Sequence, residues 1–139
     1  MIKDKMIIVS ACLVGVNCNY KGKNCENETV AALVREGIAI PVCPEQLGGL
    51  TTPRPPAEIK NERVITKEGA DVTEAFLAGA EEVLKICQKY NCKKAILKAN
   101  SPSCGCGKIY DGNFNGSLVD GKGVTARLLI EHGIEVVVL

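Results

Sequence analysis

Residues 6–15 read MIIVSACLVG, an apolar and largely β-branched run from Met6 to Ala11 followed by a cysteine and a turn-forming glycine. Continuous rather than alternating hydrophobicity marks a strand buried on both faces, as in a parallel sheet covered by helices on two sides. The same pattern recurs further along. Ile38 to Val42 reads as a second strand that ends at Cys43-Pro44, and Ala95 to Leu97 as a third that runs into a Ser/Pro/Gly-rich turn holding Cys104. Glu135 to Leu139 is a last apolar strand.

Helical spacing fills the intervals. Asn27 to Arg35 places Val30, Leu33 and Val34 on one side, with Gly37 as its stop. Asp71 to Tyr90 reads as the longest helix, opened by Asp71 or Thr73 and carrying Phe76, Ala80, Val83, Leu84 and Cys87 on one side. Thr125 to His132 is a final helix ended by Gly133. Strand–helix–strand crossovers are nearly always right-handed, which predicts a three-layer α/β sandwich with a mainly parallel sheet.

Two stretches break this alternation. Thr51 to Gly69 holds Thr52-Pro53-Arg54-Pro55-Pro56, too rich in proline for a regular element, and then Glu58 to Thr66, which reads as a small β-hairpin insert around Asn61-Glu62. Gly105 to Gly123 contains six glycines with Tyr110, Asn113 and Phe114 among them. Each follows a strand end that carries a cysteine, and both are expected to act as lids.

Bulk properties narrow the partners. A chain of 139 residues is expected to form one domain, 1–139, with a core of its own. The net charge is +1, from 17 basic and 16 acidic residues, with no basic stripe beyond Lys93-Lys94. That balance argues against a polyanion-binding surface and for a small-molecule partner. Eight cysteines suggest a disulfide framework only in short secreted chains that lack a core. Val9-Ser10-Ala11-Cys12 resembles a lipoprotein cleavage box. The apolar run before it is well short of the roughly 7–15 residues of a signal segment, and Asp4 interrupts the basic start. The expectation is a soluble, cytoplasmic protein with reduced thiols and no membrane partner.

Parallel strands gather their carboxyl ends along one sheet edge, where open α/β folds place their ligands. Cys12, Cys43 and Cys104 are expected to meet there. Three thiolates suit a soft metal or an iron-sulfur cluster, and neighbouring turns supply backbone N–H groups that stabilise sulfur anions. Cys87 and Cys92 read as core packing. Cys18, Cys25 and Cys106 remain open. A structural zinc module using Cys12, Cys18, Cys104 and Cys106 is arithmetically possible, although the spacings match no common zinc pattern. A cluster-free sulfurtransferase working through a persulfide is the other alternative, with Cys104 as its low-pKa thiol.

Val9 to Gly15 with Tyr20 and Gly22, Cys43-Pro44-Glu45 with Gly48-Gly49-Leu50, Thr52-Pro53-Arg54, Gly69 to Thr73, Lys98 with Ser101-Pro102-Ser103-Cys104-Gly105, and Tyr110-Asp111-Gly112 occur in that order. Together they resemble the 2-thiouracil desulfurase family through nearly the whole chain. The resemblance implies a Rossmann-like fold and a 4Fe-4S cluster held by Cys12, Cys43 and Cys104, its fourth iron open to substrate. It also implies Glu45 and Ser101 as catalytic residues. The implied reaction converts a thiolated pyrimidine of the 2-thiouracil or 4-thiouracil type to uracil with release of sulfide, without net electron transfer, as a hydrolase or lyase. Longer members act on thiolated tRNA through an extra C-terminal domain; this chain ends at its last strand, and nucleic acid is not expected as its partner.

The residues fit such chemistry. A thiocarbonyl sulfur is a soft donor that iron polarises toward attack by water. Glu45, two residues from Cys43, is placed to move protons, against the alternative of a helix-capping glutamate. Ser101 precedes Pro102 and is biased to an extended conformation, suiting a proton relay or a hydrogen bond to the base, a task Ser103 could share. Arg54, Lys98 and Asn100 are candidates to read the ring edge, and Tyr20, Tyr110 and Phe114 to stack on its face. His132 at a helix end needs no catalytic role.

Overall fold

In the computed structural model, which describes residues 6–139, β1 (Ile7–Ser10) lies inside a four-stranded parallel sheet. The reading of the extreme N-terminus as no signal segment falls partly on residues 1–5, outside the described residues. β1 is flanked by β2 (Ala39–Val42) and β5 (Lys94–Leu97), with β8 (Glu135–Val138) beyond β5. Ile8 pairs with Ile40 on one side and Ala95 on the other, and Lys94 with Glu135.

Alternation along β1 separates the two faces. Ile8 joins Val83, Cys87, Ala95, Leu97, Ala126 and Leu129 in a core under α3 (Thr73–Lys89) and α4 (Val124–Glu131). Val9 joins Leu13, Val30 and Ala39 under α1 (Glu28–Arg35). Helices therefore cover both faces, which is the three-layer α/β sandwich anticipated from the apolar runs.

Local chemistry sets the helix ends. The Asn27 side chain accepts the Val30 N–H at 3.1 Å and caps α1. Asp71 Oδ1 accepts the Thr73 N–H at 2.9 Å, while Thr73 Oγ1 accepts the Val64 N–H at 2.8 Å. Both proposed openers of the long helix are thus engaged at its start. One helix was not anticipated: α2 (Pro44–Leu47) starts immediately after Cys43, with proline in its first turn, where no N–H is missed. α2 meets α3 at Gly48 and Gly79. A Cβ on Gly79 would stand 1.9 Å from the Pro44 carbonyl oxygen, so only glycine permits this approach.

β3 (Ala57–Lys60) and β4 (Arg63–Thr66) form the expected hairpin, with Asn61 and Glu62 both at positive φ in its turn. The glycine-rich stretch 105–123 departs from the expectation of a lid loop. It contains a second antiparallel hairpin, β6 (Cys106–Tyr110) with β7 (Leu118–Lys122), in which Gly107 faces Gly121. The two hairpins are joined. Glu58 accepts the N–H groups of Gly112 at 3.0 Å and Phe114 at 3.1 Å, and Lys60 Nζ donates to Asn113 Oδ1 at 2.8 Å. No helix among the described residues is long and apolar enough to cross a membrane.

Candidate active site

Cys12, Cys43 and Cys104 come from three separate segments, each just beyond the carboxyl end of β1, β2 or β5. Past Ser10 the chain winds into a tight 3-10 turn, Ala11–Val14, closed by Gly15 at φ +94°. Cys12 sits in this turn, and its carbonyl accepts the Cys25 N–H at 2.9 Å. Cys43 is the N-terminal boundary residue of α2. Cys104 is held by Ser101, whose Oγ accepts the N–H groups of Ser103 at 3.0 Å and Cys104 at 3.1 Å. Ser10 links two of these segments: its Oγ accepts the Lys98 N–H at 2.9 Å and stands 3.5 Å from Cys104 Sγ as donor.

A cavity of about 70 Å³ opens between them, lined by the three cysteines with Cys18, Glu45, Arg54, Lys98 and Ser101. Asn19, Lys98 and Ser101 also line a neighbouring cavity of about 370 Å³. Its walls include Tyr20, Asn100, Tyr110 and Phe114, and its size falls in the range of small-molecule sites, about 300–1,000 Å³. The Glu58 latch fixes the Gly112–Phe114 loop against this second cavity.

The sulfurs differ sharply in acidity. A hydrogen bond from the Cys18 thiol is the main influence lowering Cys43, to about 6, against the cost of burial and with help from the Gln46 N–H and Arg54. Cys12 is lowered for the same first reason, again against burial. Cys18 is pushed the other way, because its proton is shared with two neighbours that are better anions. Cys104 is buried and pushed up to about 12 by desolvation. The expectation that Cys104 is the acidic thiol of the site is therefore corrected: glycines around it do not expose it to water, and Cys43 occupies the activating environment instead.

Glu45 and Arg54 form an ion pair, Nε to Oε1 at 2.9 Å, with side chains 18% and 5% exposed. The remaining guanidinium bonds run to the Thr51 carbonyl at 3.1 Å, Thr52 Oγ1 at 2.9 Å and the Cys18 carbonyl at 2.9 Å. Glu45 therefore does more than open a helix turn.

Other expected residues fall elsewhere. Ser103 is fully buried and shares a 2.8 Å hydrogen bond with Thr125, lining neither cavity. Tyr110 lines only the larger cavity. Cys25 is exposed at the rim of that cavity, and Cys106 packs against the core under α3 and α4. Cys87 and Cys92 are buried in that core with raised pKa, as packing thiols should be. Among the described residues no three Cys, His, Asp or Glu side chains are arranged to hold a single ion, so the four-thiolate zinc arrangement is not formed.

Sequence reasoning left Cys18 open and passed over Ser10 and Asn19. Proximity to Cys12 was the available signal for Ser10 and for Cys18, six residues further on; nothing in the sequence marked Asn19.

The 2-thiouracil desulfurase family model matches residues 7–139. An uncharacterised protein of Bacillus subtilis (strain 168), YbbK, is 44% identical over 142 residues, which cover 95% of this chain and 94% of that one. A solved structure described as a 4Fe-4S-dependent thiouracil desulfidase, TudS, matches with a TM-score of 0.92 at 47% identity, over 96% of this chain and 90% of the other.

Proposed function

The chain belongs to the 2-thiouracil desulfurase family, and from that premise we propose that it removes sulfur from a small thiolated pyrimidine, releasing sulfide and uracil, with a 4Fe-4S cluster held by Cys12, Cys43 and Cys104. The observation that carries this reading is the meeting of three strand-end thiols in one cavity that adjoins a second, ring-sized one. The donor set fits. Soft thiolates are the ligands such clusters require, three of them line one cavity here, and a multi-iron cluster would not need them grouped as tightly as a single ion does. When bound, the cluster would supply a soft Lewis acid able to polarise a thiocarbonyl carbon toward attack by water.

This chain's own groups do the rest. The base lies in the larger cavity, its face against Tyr20, Tyr110 or Phe114 and its sulfur toward the thiol cavity. Ser101 lines both cavities, and its two lone pairs are already taken by backbone N–H groups, so its hydroxyl proton is left to donate to the ring edge. Lys98 also reaches both cavities and offers its ammonium to a ring oxygen or to the departing sulfide. The Glu45 carboxylate takes a proton from the attacking water and returns it to the sulfide. Water adds, sulfide leaves, and no electron is gained or lost. The working site is cytoplasmic, where the thiols stay reduced.

Anaerobic reconstitution with iron and sulfide, metal analysis and a 2-thiouracil assay test this. About four irons per chain and uracil formation support it. A second reading is favoured by one observation: Cys43, at about 6, is acidic enough to act as a thiolate nucleophile. In that reading the Cys43 thiolate adds to the thiocarbonyl carbon, sulfide is expelled, and water hydrolyses the adduct to free the thiol; turnover by iron-free protein, lost on Cys43→Ser, would establish it in place of the cluster.

A further inference from the structure

Arg54 lines the thiol cavity but not the larger one, and four of the five N–H donors of its guanidinium are committed within the protein. A residue that reads substrate keeps donors free and faces the substrate's space. Arg54 instead grips three segments: α2 through Glu45, the proline-rich loop through Thr51 and Thr52, and the cysteine loop through the Cys18 carbonyl. Its own N–H donates to the Tyr20 carbonyl at 2.9 Å, so its backbone is tied down as well.

We propose that Arg54 is a positioning residue that fixes the Glu45 carboxylate in the thiol cavity, rather than a residue that binds the pyrimidine. This inference rests on the proposed desulfurase reading and adds to it the means by which the proton-moving carboxylate is held. Glu45 lies in the first turn of a helix of only four residues, and a glutamate has several torsions with which to wander. An ion pair between two largely buried side chains is a poor way to stabilise a fold but a good way to specify one geometry. The planar fork matters here, because Nε binds Glu45 while Nη1 and Nη2 are anchored to other segments. A lysine could restore the charge but not the fork. The unfilled donor on Nη2 leaves no paired set with which to read a ring edge.

The test compares wild type, Arg54→Lys, Glu45→Gln and the double variant, each reconstituted with iron and assayed on 2-thiouracil. Arg54→Lys should keep its iron and an unchanged KM while kcat falls about 100-fold, the loss expected of a misplaced catalytic group. In the Glu45→Gln background the same change should lower kcat by less than about threefold, since the two act as a unit. A crystal structure of metal-free Arg54→Lys should show the Glu45 carboxylate displaced. A raised KM with unchanged kcat, equal kcat losses in both backgrounds, or an undisturbed carboxylate would overturn the proposal. Should Arg54→Lys fail to fold, Thr52→Val removes one acceptor of Arg54 and keeps the ion pair. A partial loss of kcat at constant KM then supports the role, and an unchanged kcat overturns it. Wild type without iron or turnover would instead overturn the desulfurase reading.

Discussion

The Cys18 thiol is the main influence that lowers both Cys12 and Cys43, and Cys43 Sγ lies 3.7 Å from the Cys18 carbonyl oxygen. Reactivity in metal-free protein should reflect this. Thiolate is the nucleophile, so alkylation of Cys43 should rise with pH through about 6, while Cys104, pushed up to about 12 by burial, stays unmodified. Cys18→Ala removes a donor that favours the anion, so the Cys43 midpoint should move upward; peptide mapping after brief iodoacetamide treatment reads both effects. Faster modification of Cys104 than of Cys43 would contradict the assignment. At the opposite extreme, Ser103 and Thr125 satisfy each other in a site with no water access. Ser103→Ala should cost about 1–3 kcal/mol in urea unfolding, the penalty of an orphaned buried hydroxyl. KM should not change, because Ser103 lines neither cavity. The sequence singled out Cys12, Cys43 and Cys104 because each interrupts a strand-ending turn. Cys18 had no such marker, since its significance comes from Cys43, 25 residues away at the start of α2.

At the scale of elements, α2 invites the closest test because it starts directly after Cys43 and carries Glu45, two residues on from that cysteine. Its crossing with α3 depends on Gly48 and Gly79. Gly79→Ala improves helix propensity by at most about 1 kcal/mol, but the new Cβ would meet the rigid Pro44 carbonyl at 1.9 Å. Overpacking of that sort costs about 1–3 kcal/mol, so sterics should win and α2 should be pushed off α3. Denaturant unfolding should show the loss of stability, and iron per chain after reconstitution should fall with it, since Cys43 moves with the helix. Unchanged iron loading would mean that α2 does not position the thiol. The parallel strands were legible because burial on both faces writes itself as consecutive apolar residues. α2 was not, because four residues are too few to display a helical period. The β6–β7 hairpin was hidden by its glycines, which read as loop although Gly107 and Gly121 merely face each other across the ladder. Its attachment through Glu58 spans 54 and 56 residues to Gly112 and Phe114, a link that no local pattern reveals.

Over the whole molecule, the two apolar clusters lie on opposite faces of the sheet, and the thiol cavity lies at the sheet's carboxyl edge. Cys12 and Cys43 belong to neither cluster; Cys104 belongs to the one under α3 and α4, where it packs as a small apolar group. Metal would then be bound by a fold that already stands, unlike a zinc finger, in which binding free energy is folding free energy. Removing the iron with a chelator should abolish desulfuration while far-ultraviolet circular dichroism and a single cooperative unfolding transition persist. Cys12→Ala and Cys43→Ala should lose iron with little change in metal-free stability. Cys104→Ala should lose iron as well and cost an additional amount of about 1 kcal/mol, because a buried sulfur leaves a small cavity in the core. A structural metal predicts the reverse ordering: chelation and each ligand substitution would melt the protein together. Comparing the metal-free unfolding curves of the three variants with that of wild type therefore separates a cluster that serves chemistry from one that holds the chain together. The position of all three thiols beyond strand ends rather than within them favours the first.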